Sequence, residues 1–173
     1  YFPRYWKSIY KKYISGESAT PEELKAFGRR YKKLIAQSLL EYNRKQFISK
    51  FPPNTGSIRH LLDMFPQAKF VYIYRNPVLV FQSTVNFFET THEALMLQPF
   101  SSAEFEEMVF ELYEMIIKDY ERLKSLIPAD HLVEIRYEDF EADPLIGLRN
   151  IYERLELDGF EQSIPAFTDY FIC

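Results

Sequence analysis

The chain predicts an α/β fold, a mainly parallel sheet with flanking helices, and three observations carry that expectation. Two apolar runs of strand length, at Phe70–Tyr74 and Leu132–Ile135, are rich in β-branched and aromatic residues. Two long stretches, each opened by a capping box, carry apolar residues at helical spacing. Strand and helix signals alternate along the chain, and strands joined through helices run parallel with right-handed crossovers.

The elements follow in order. The opening residues, Tyr1-Phe2-Pro3-Arg4-Tyr5-Trp6, are polar and aromatic in a helix-like pattern. Thr20-Pro21-Glu22-Glu23 combines a capping box with proline at the first helical position, and Leu24, Phe27, Tyr31, Leu34, Ile35, Leu39 and Tyr42 continue the period to an end near Asn43. Gln46 to Ser49 reads as a short buried strand delivering Lys50 to the sheet edge, and Pro52-Pro53-Asn54-Thr55-Gly56 as a loop. Ser57 to Met64 reads as a short helix. Phe70 to Tyr74 is an unbroken apolar run, as expected of a strand covered on both faces.

Arg75 ends that strand. Asn76-Pro77 then supplies an N-cap oxygen and a first helical residue whose missing N–H costs nothing. The following helix should turn Val78, Val80, Phe81 and Val85 toward a core and hold Ser83 about two turns in. Ser101 with Glu104 repeats the capping box, and Phe105, Met108, Leu112, Ile116 and Leu123 mark a long amphipathic helix ending before Pro128. Leu132–Ile135 is the third strand, and Asp143-Pro144 starts the last clear helix, which stops near Gly159.

Composition narrows the classes. At 173 residues, 17% of them aromatic and only five of them glycine, the chain suits one domain with a substantial core and not a disordered segment. A net charge of −4 argues against nucleic acid as a partner, because binding a phosphate backbone needs a concentrated positive face. The pairs Lys11-Lys12, Arg29-Arg30 and Lys32-Lys33 read as solvated helix faces. No apolar run reaches membrane-spanning length, and no secretory leader is visible. The single cysteine, Cys173, allows no internal disulfide or cysteine-based metal site, and a reducing, cytoplasmic location is the default expectation. His60, His92 and His131 lack ligand-like spacing, so no metal is expected.

Lys50, Arg75 and Ser83 suit one kind of ligand, an anion. In open α/β sheets ligands sit beyond the carboxyl ends of the strands, where the next helix offers a positive N-terminus and free N–H groups. An arginine there can clamp a phosphate through two parallel hydrogen bonds, and a serine hydroxyl adds a donor. Taken singly, Arg75 is equally well explained by a surface ion pair and Ser83 by an inert helix position. The three together favour an anion site.

These residues also carry a family resemblance. Arg75-Asn76-Pro77 with Ser83 eight positions after the arginine resembles the 3′-phosphate-binding element of sulfotransferases that use 3′-phosphoadenosine 5′-phosphosulfate (PAPS). Lys50-Phe51-Pro52 is similar to that family's Lys-x-Pro element, and Phe65-Pro66-Gln67-Ala68-Lys69-Phe70 to its Phe-Pro-Asp-Ala-Lys-Phe approach to the strand. Arg136-Tyr137-Glu138-Asp139-Phe140 followed by Asp143-Pro144 resembles its Tyr-Glu-Asp-Leu region. Order and spacing agree over roughly two thirds of the chain.

The resemblance implies a P-loop NTPase-like three-layer fold and sulfuryl transfer from PAPS to an acceptor hydroxyl or amine, with no metal. It implies that Arg75 and Ser83 hold the 3′-phosphate and that Lys50 stabilises charge near the transferred group; Tyr137 is a candidate for contact with the adenine, the alternative being a packing role after a core strand. His60 is a candidate base by residue type, as is His92. The family's glycine-rich loop, Gly-x-Pro-Arg-Ser-Gly-Thr-Thr, has no counterpart among the scattered glycines 16, 28, 56, 147 and 159. Residues 1–173 are therefore expected to be a single sulfotransferase-like domain incomplete at its amino terminus, inactive alone, and either self-associating or completed by another segment. Two other classes stay open: a nucleotide-kinase-like phosphotransferase, which needs a phosphate loop and an aspartate for magnesium, and a non-catalytic interaction domain. The acceptor is not legible, because acceptor pockets are built from variable loops such as that around Glu89 to Phe100.

Overall fold

The computed structural model of the chain describes residues 2–43 and 46–172; Tyr1, Arg44, Lys45 and Cys173 lie outside the described residues, as do the side chains of 92–94 and 172. The elements are α1 (Trp6–Ile9), α2 (Pro21–Glu41), α3 (Ile58–Met64), β1 (Phe70–Tyr74), α4 (Pro77–Leu95), α5 (Ser102–Leu123), β2 (Leu132–Arg136), α6 (Tyr137–Ala142), α7 (Pro144–Arg154) and α8 (Phe160–Ile172). A π-helical turn at Tyr10–Ile14 extends α1, and a 3-10 segment occupies Pro52–Gly56. The chain divides into two compact units, one of Tyr1–Pro66 with Thr84–Leu126, the other of Gln67–Ser83 with Ile127–Cys173.

In the first unit both expected capping boxes form. Thr20 Oγ1 accepts from the Glu23 N–H at 3.2 Å while Glu23 accepts from the Thr20 N–H at 3.0 Å. Ser101 and Glu104 repeat this at 3.3 and 2.8 Å. Each box satisfies donors that the start of a helix leaves free. The core gathers on α5, whose Phe105, Met108, Val109, Tyr120 and Leu123 are buried. Phe105 stacks on Phe88 at 5.9 Å and meets Phe100 edge-on at 4.8 Å. Buried Tyr10 donates its hydroxyl to Asp119 at 2.7 Å, and Asp119 pairs with Arg122 at 2.6 Å. Burial and then Asp119 push the Tyr10 phenol well above its ordinary value.

The second unit holds a small parallel sheet. β1 and β2 pair in register, Phe70 with Leu132 through Tyr74 with Arg136. Val133 packs with Ile151 and Leu155 of the α7 region, and Ile135, Phe140 and Leu148 surround them. Gly147 lets α7 approach Phe140, since a Cβ there would lie 2.5 Å from the ring. Lys69 donates to the Leu155 and Glu156 carbonyls and so caps the end of α7.

The structure corrects four expectations. Gln46–Ser49 is not a strand: those residues are irregular and exposed, Ile48 at 83%, and among the described residues only β1 and β2 pair. A strand persists only where a neighbour takes its N–H and C=O groups. β1 is not covered on both faces. Val71 and Ile73 are 42% and 48% exposed, because α7 packs on β2 and leaves their side of β1 open. Val78 is exposed; among the described residues the buried position of α4 is Val85. The last helix is not the one begun by Asp143-Pro144, which ends at Arg154; α8 follows despite Pro165 inside it, with Phe160 and Phe167 packed on Tyr152. Among the described residues no helix is long and apolar enough to cross a membrane, and no cluster of histidine, cysteine, aspartate or glutamate could hold a metal ion.

Candidate functional site

Register places the chemistry of the second unit. With Tyr74 opposite Arg136, the next residue of each segment, Arg75 and Tyr137, leaves the same end of the sheet. The two side chains meet: the Arg75 guanidinium carbon stands 4.4 Å from the Tyr137 ring centroid.

Two carboxylates at that edge are already engaged. Glu138 accepts from the Asn76 N–H at 3.2 Å through one oxygen and from Arg136 Nε at 3.0 Å through the other. Its carboxyl is held below the usual range, first by its own N–H and that of Asn76, with the Arg136 charge adding to them. Glu141 accepts the Tyr137 hydroxyl at 3.0 Å, and this hydrogen bond raises the phenol above its ordinary value. Arg136 is thus neutralised locally. Arg75 makes no ion pair among the described residues and remains an exposed cation on an aromatic face.

The start of α4 lies beside it in sequence. Asn76 caps the helix, its Oδ1 accepting the Val78 N–H at 2.9 Å and its carbonyl the Val80 N–H at 3.1 Å. Asn76, Val80 and Ser83 follow one another at four- and three-residue steps, hence along one helix face. Ser83 is exposed and its hydroxyl has no hydrogen bond among the described residues. An uncompensated guanidinium, a helix N-terminus and a free hydroxyl are a donor set for a phosphate.

Lys50 and His60 belong to the first unit. Lys50 is exposed and without an ion pair among the described residues. Its neighbours Ser49 and Phe51 both line a cleft of about 330 Å³, to which α3 contributes His60. His60 Nε2 lies 2.9 Å from the Ser15 carbonyl. A carbonyl only accepts, so Nε2 carries the proton, and in the neutral ring Nδ1 keeps the lone pair. Gly16, at φ +73°, permits this contact, because a Cβ there would collide with the imidazole. The side chain of His92 lies outside the described residues.

The structure brings Arg75 onto Tyr137 within the second unit and, within the first, sets His60 in a cleft lined by Ser49 and Phe51 but not by Lys50 itself. Sequence reasoning missed Glu138, whose pairing with Arg136 leaves Arg75 the unpaired arginine of this edge, and Glu141, which holds the Tyr137 hydroxyl. A signal existed: Tyr137 and Glu141 are spaced one helical turn apart, but α6 had not been read as a helix.

Comparison with known proteins shows the family. A sulfotransferase family model matches residues 7–162. Two curated relatives, the omega-hydroxy-beta-dihydromenaquinone-9 sulfotransferases of Mycobacterium bovis and Mycobacterium tuberculosis, are each 30% identical over 161 residues, 93% of this chain. The chain spans about two fifths of their length, 41%. No solved structure matches. With nine tenths of its length matched, and with the Arg75, Ser83 and Lys50 elements inside the matched span, the chain belongs to the sulfotransferase family.

Proposed function

We propose that the chain supplies the 3′-phosphate site and part of the acceptor site of a PAPS-dependent sulfotransferase. The observation that carries this reading is the uncompensated Arg75 guanidinium on the Tyr137 ring, at the end of a parallel strand pair and next to the capped start of α4. Arg75 and Ser83 would hold the 3′-phosphate that distinguishes this donor from ATP. Tyr137 offers a ring face for the adenine, and its hydroxyl is spent on Glu141.

The donor supplies an activated sulfuryl group. An acceptor oxygen or nitrogen forms a bond to sulfur, the bond from sulfur to the 5′-phosphate oxygen breaks, and that oxygen keeps the electron pair. Lys50 would stabilise the charge developing there, and a base takes the acceptor proton. His60, with its Nδ1 lone pair, is proposed for that role. The relatives' names specify an omega-hydroxy acceptor, and we propose for this chain an acceptor hydroxyl carried on an apolar body.

The test is thermal unfolding of the 173-residue chain with 3′-phosphoadenosine 5′-phosphate, with ATP–magnesium and without ligand. Stabilisation by the first alone is expected. Stabilisation by ATP–magnesium alone would replace the reading with the phosphotransferase alternative.

A further inference from the structure

The cations of α2 lack counter-charges. From Leu24 to Leu40 the helix carries Lys25, Arg29, Arg30, Lys32 and Lys33 and no acidic residue. Lys7, Lys11 and Lys12, in α1 and its extension, are each paired, with Glu111, Glu17 and Glu23 at 2.7, 3.3 and 2.7 Å. The α2 cations make no ion pair among the described residues, and Lys32 instead stands 5.5 Å from the Phe65 ring centroid. Carboxylates flank this stretch only at its ends, Glu22 and Glu23 before it and Glu41 after it, and Glu23 is spent on Thr20 and Lys12. Asp63 of α3 shares a recess with Lys25, Arg29 and Lys32 but pairs with none of them among the described residues. In a chain of net charge −4, this is a strongly positive face.

The neighbours of these cations are not the polar groups of an ordinary solvated face. Leu40 is 81% exposed, and with Ile48 it is one of the two most exposed large apolar side chains among the described residues. Arg29, Lys33 and Leu40 follow one another at four- and seven-residue steps, so cations and exposed leucine share one outer face of α2. Phe27 and Leu34, seven residues apart and both exposed, flank Arg30. Beyond the helix Tyr42, Phe47 and Ile48 are exposed as well. The irregular segment lies alongside α2, because Ser49 and Phe51 line one cleft with Phe27 and Tyr31.

Unpaired cations interleaved with exposed apolar side chains suit a partner that is both anionic and apolar. A nucleic acid or an acidic peptide offers the charge but nothing to cover Leu40 and Ile48, whereas an anionic bilayer offers phosphates at its surface and an acyl boundary a few ångströms below. From this complementarity we infer that α2 and the segment after it form a docking surface for an anionic lipid membrane. The contact is peripheral: the chain lies on the membrane through Arg29, Lys33, Leu40 and Ile48, and no helix crosses it. This surface is separate from the proposed donor site, and either reading stands without the other.

The experiment is co-sedimentation of the 173-residue chain with phosphatidylcholine vesicles, alone or containing about one third phosphatidylglycerol, beside a vesicle-free control. The chain should sediment with the anionic vesicles, stay in solution with the neutral ones, and be released as salt rises from about 0.1 to about 0.5 M. Arg29→Glu with Lys33→Glu should weaken binding about 25-fold or more, at about fivefold for each cation removed. Leu40→Ser and Ile48→Ser should each weaken it about tenfold, since each side chain enters the acyl boundary. All four positions are exposed, so the variants should unfold close to the wild-type temperature. The wild-type lipid and salt dependence stands even if a variant fails to fold. Equal binding to neutral vesicles, indifference to salt, or unchanged binding by the charge-reversed or the serine variants would overturn the inference. Duplex DNA or polyglutamate that strips the chain from the vesicles at equal charge concentration would assign the face to that polyanion instead. Sedimentation without vesicles would assign it to a second copy of the chain, and either result overturns the membrane reading.

Discussion

Arg75→Ala isolates the proposed donor site, because the structure separates its binding role from the fold. The side chain is exposed, carries no ion pair among the described residues, and contacts the Tyr137 ring. Surface changes of that kind move stability by about 0.5 kcal/mol or less, so the variant should unfold close to the wild-type temperature. Binding should respond much more strongly. A guanidinium clamping a phosphate makes two charge-assisted hydrogen bonds of about 1.5–3 kcal/mol each. Solvent exposure of the site takes both toward the lower figure. Any loss of the Tyr137 contact on binding subtracts about 0.5–1 kcal/mol more. The net is about 2–3 kcal/mol, or roughly 30- to 150-fold in affinity. Titration calorimetry with 3′-phosphoadenosine 5′-phosphate and with adenosine 5′-phosphate reads this directly: the first should weaken by that factor and the second hardly change. Arg75→Lys should fall between, since an ammonium keeps the charge without the planar fork. If wild type and Arg75→Ala bind the 3′-phosphorylated nucleotide equally, or if both nucleotides weaken alike, Arg75 does not read the 3′-phosphate.

Three further outcomes are expected. In an enzyme assay of a protein carrying this segment, Lys50→Met should lower the transfer rate by about 10²-fold while changing nucleotide affinity little, as removal of a group acting on developing charge does; an equal loss in both would make Lys50 a binding residue only. Tyr10→Phe should cost about 1.5–2 kcal/mol in denaturant unfolding, because Asp119 loses the Tyr10 hydroxyl and keeps Arg122. Tyr10 binds its proton more tightly folded than unfolded, so its contribution is complete below about pH 10 and is lost as pH rises further; the variant should lack that alkaline loss, and identical pH profiles would contradict the assignment. Gly16→Ala combines a left-handed backbone position with a collision against His60, and should lower stability by about 1–3 kcal/mol; a variant as stable as wild type would show that neither constraint holds.

What the sequence determined by itself was local. The capping boxes at Thr20 and Ser101, the Asn76-Pro77 helix start and the two β-rich runs all form as read, because each depends on groups within a few residues of one another. The Arg75–Ser83 spacing was legible for the same reason, and with it the family. The remainder was decided by residues distant in the chain. Gln46–Ser49 has the apolar content of a strand but no paired neighbour, and β1 looked covered until α7 proved to pack on β2. Pro165 hid α8, whose helix is held by Phe160 and Phe167 on Tyr152. At the site, the spending of Glu138 on Asn76 and Arg136, the fixing of the His60 ring by Ser15, and the cleft beside Lys50 exist only once segments tens of residues apart meet. Residue type and spacing set which groups are available, and tertiary contact sets which of them remain unpaired for a ligand.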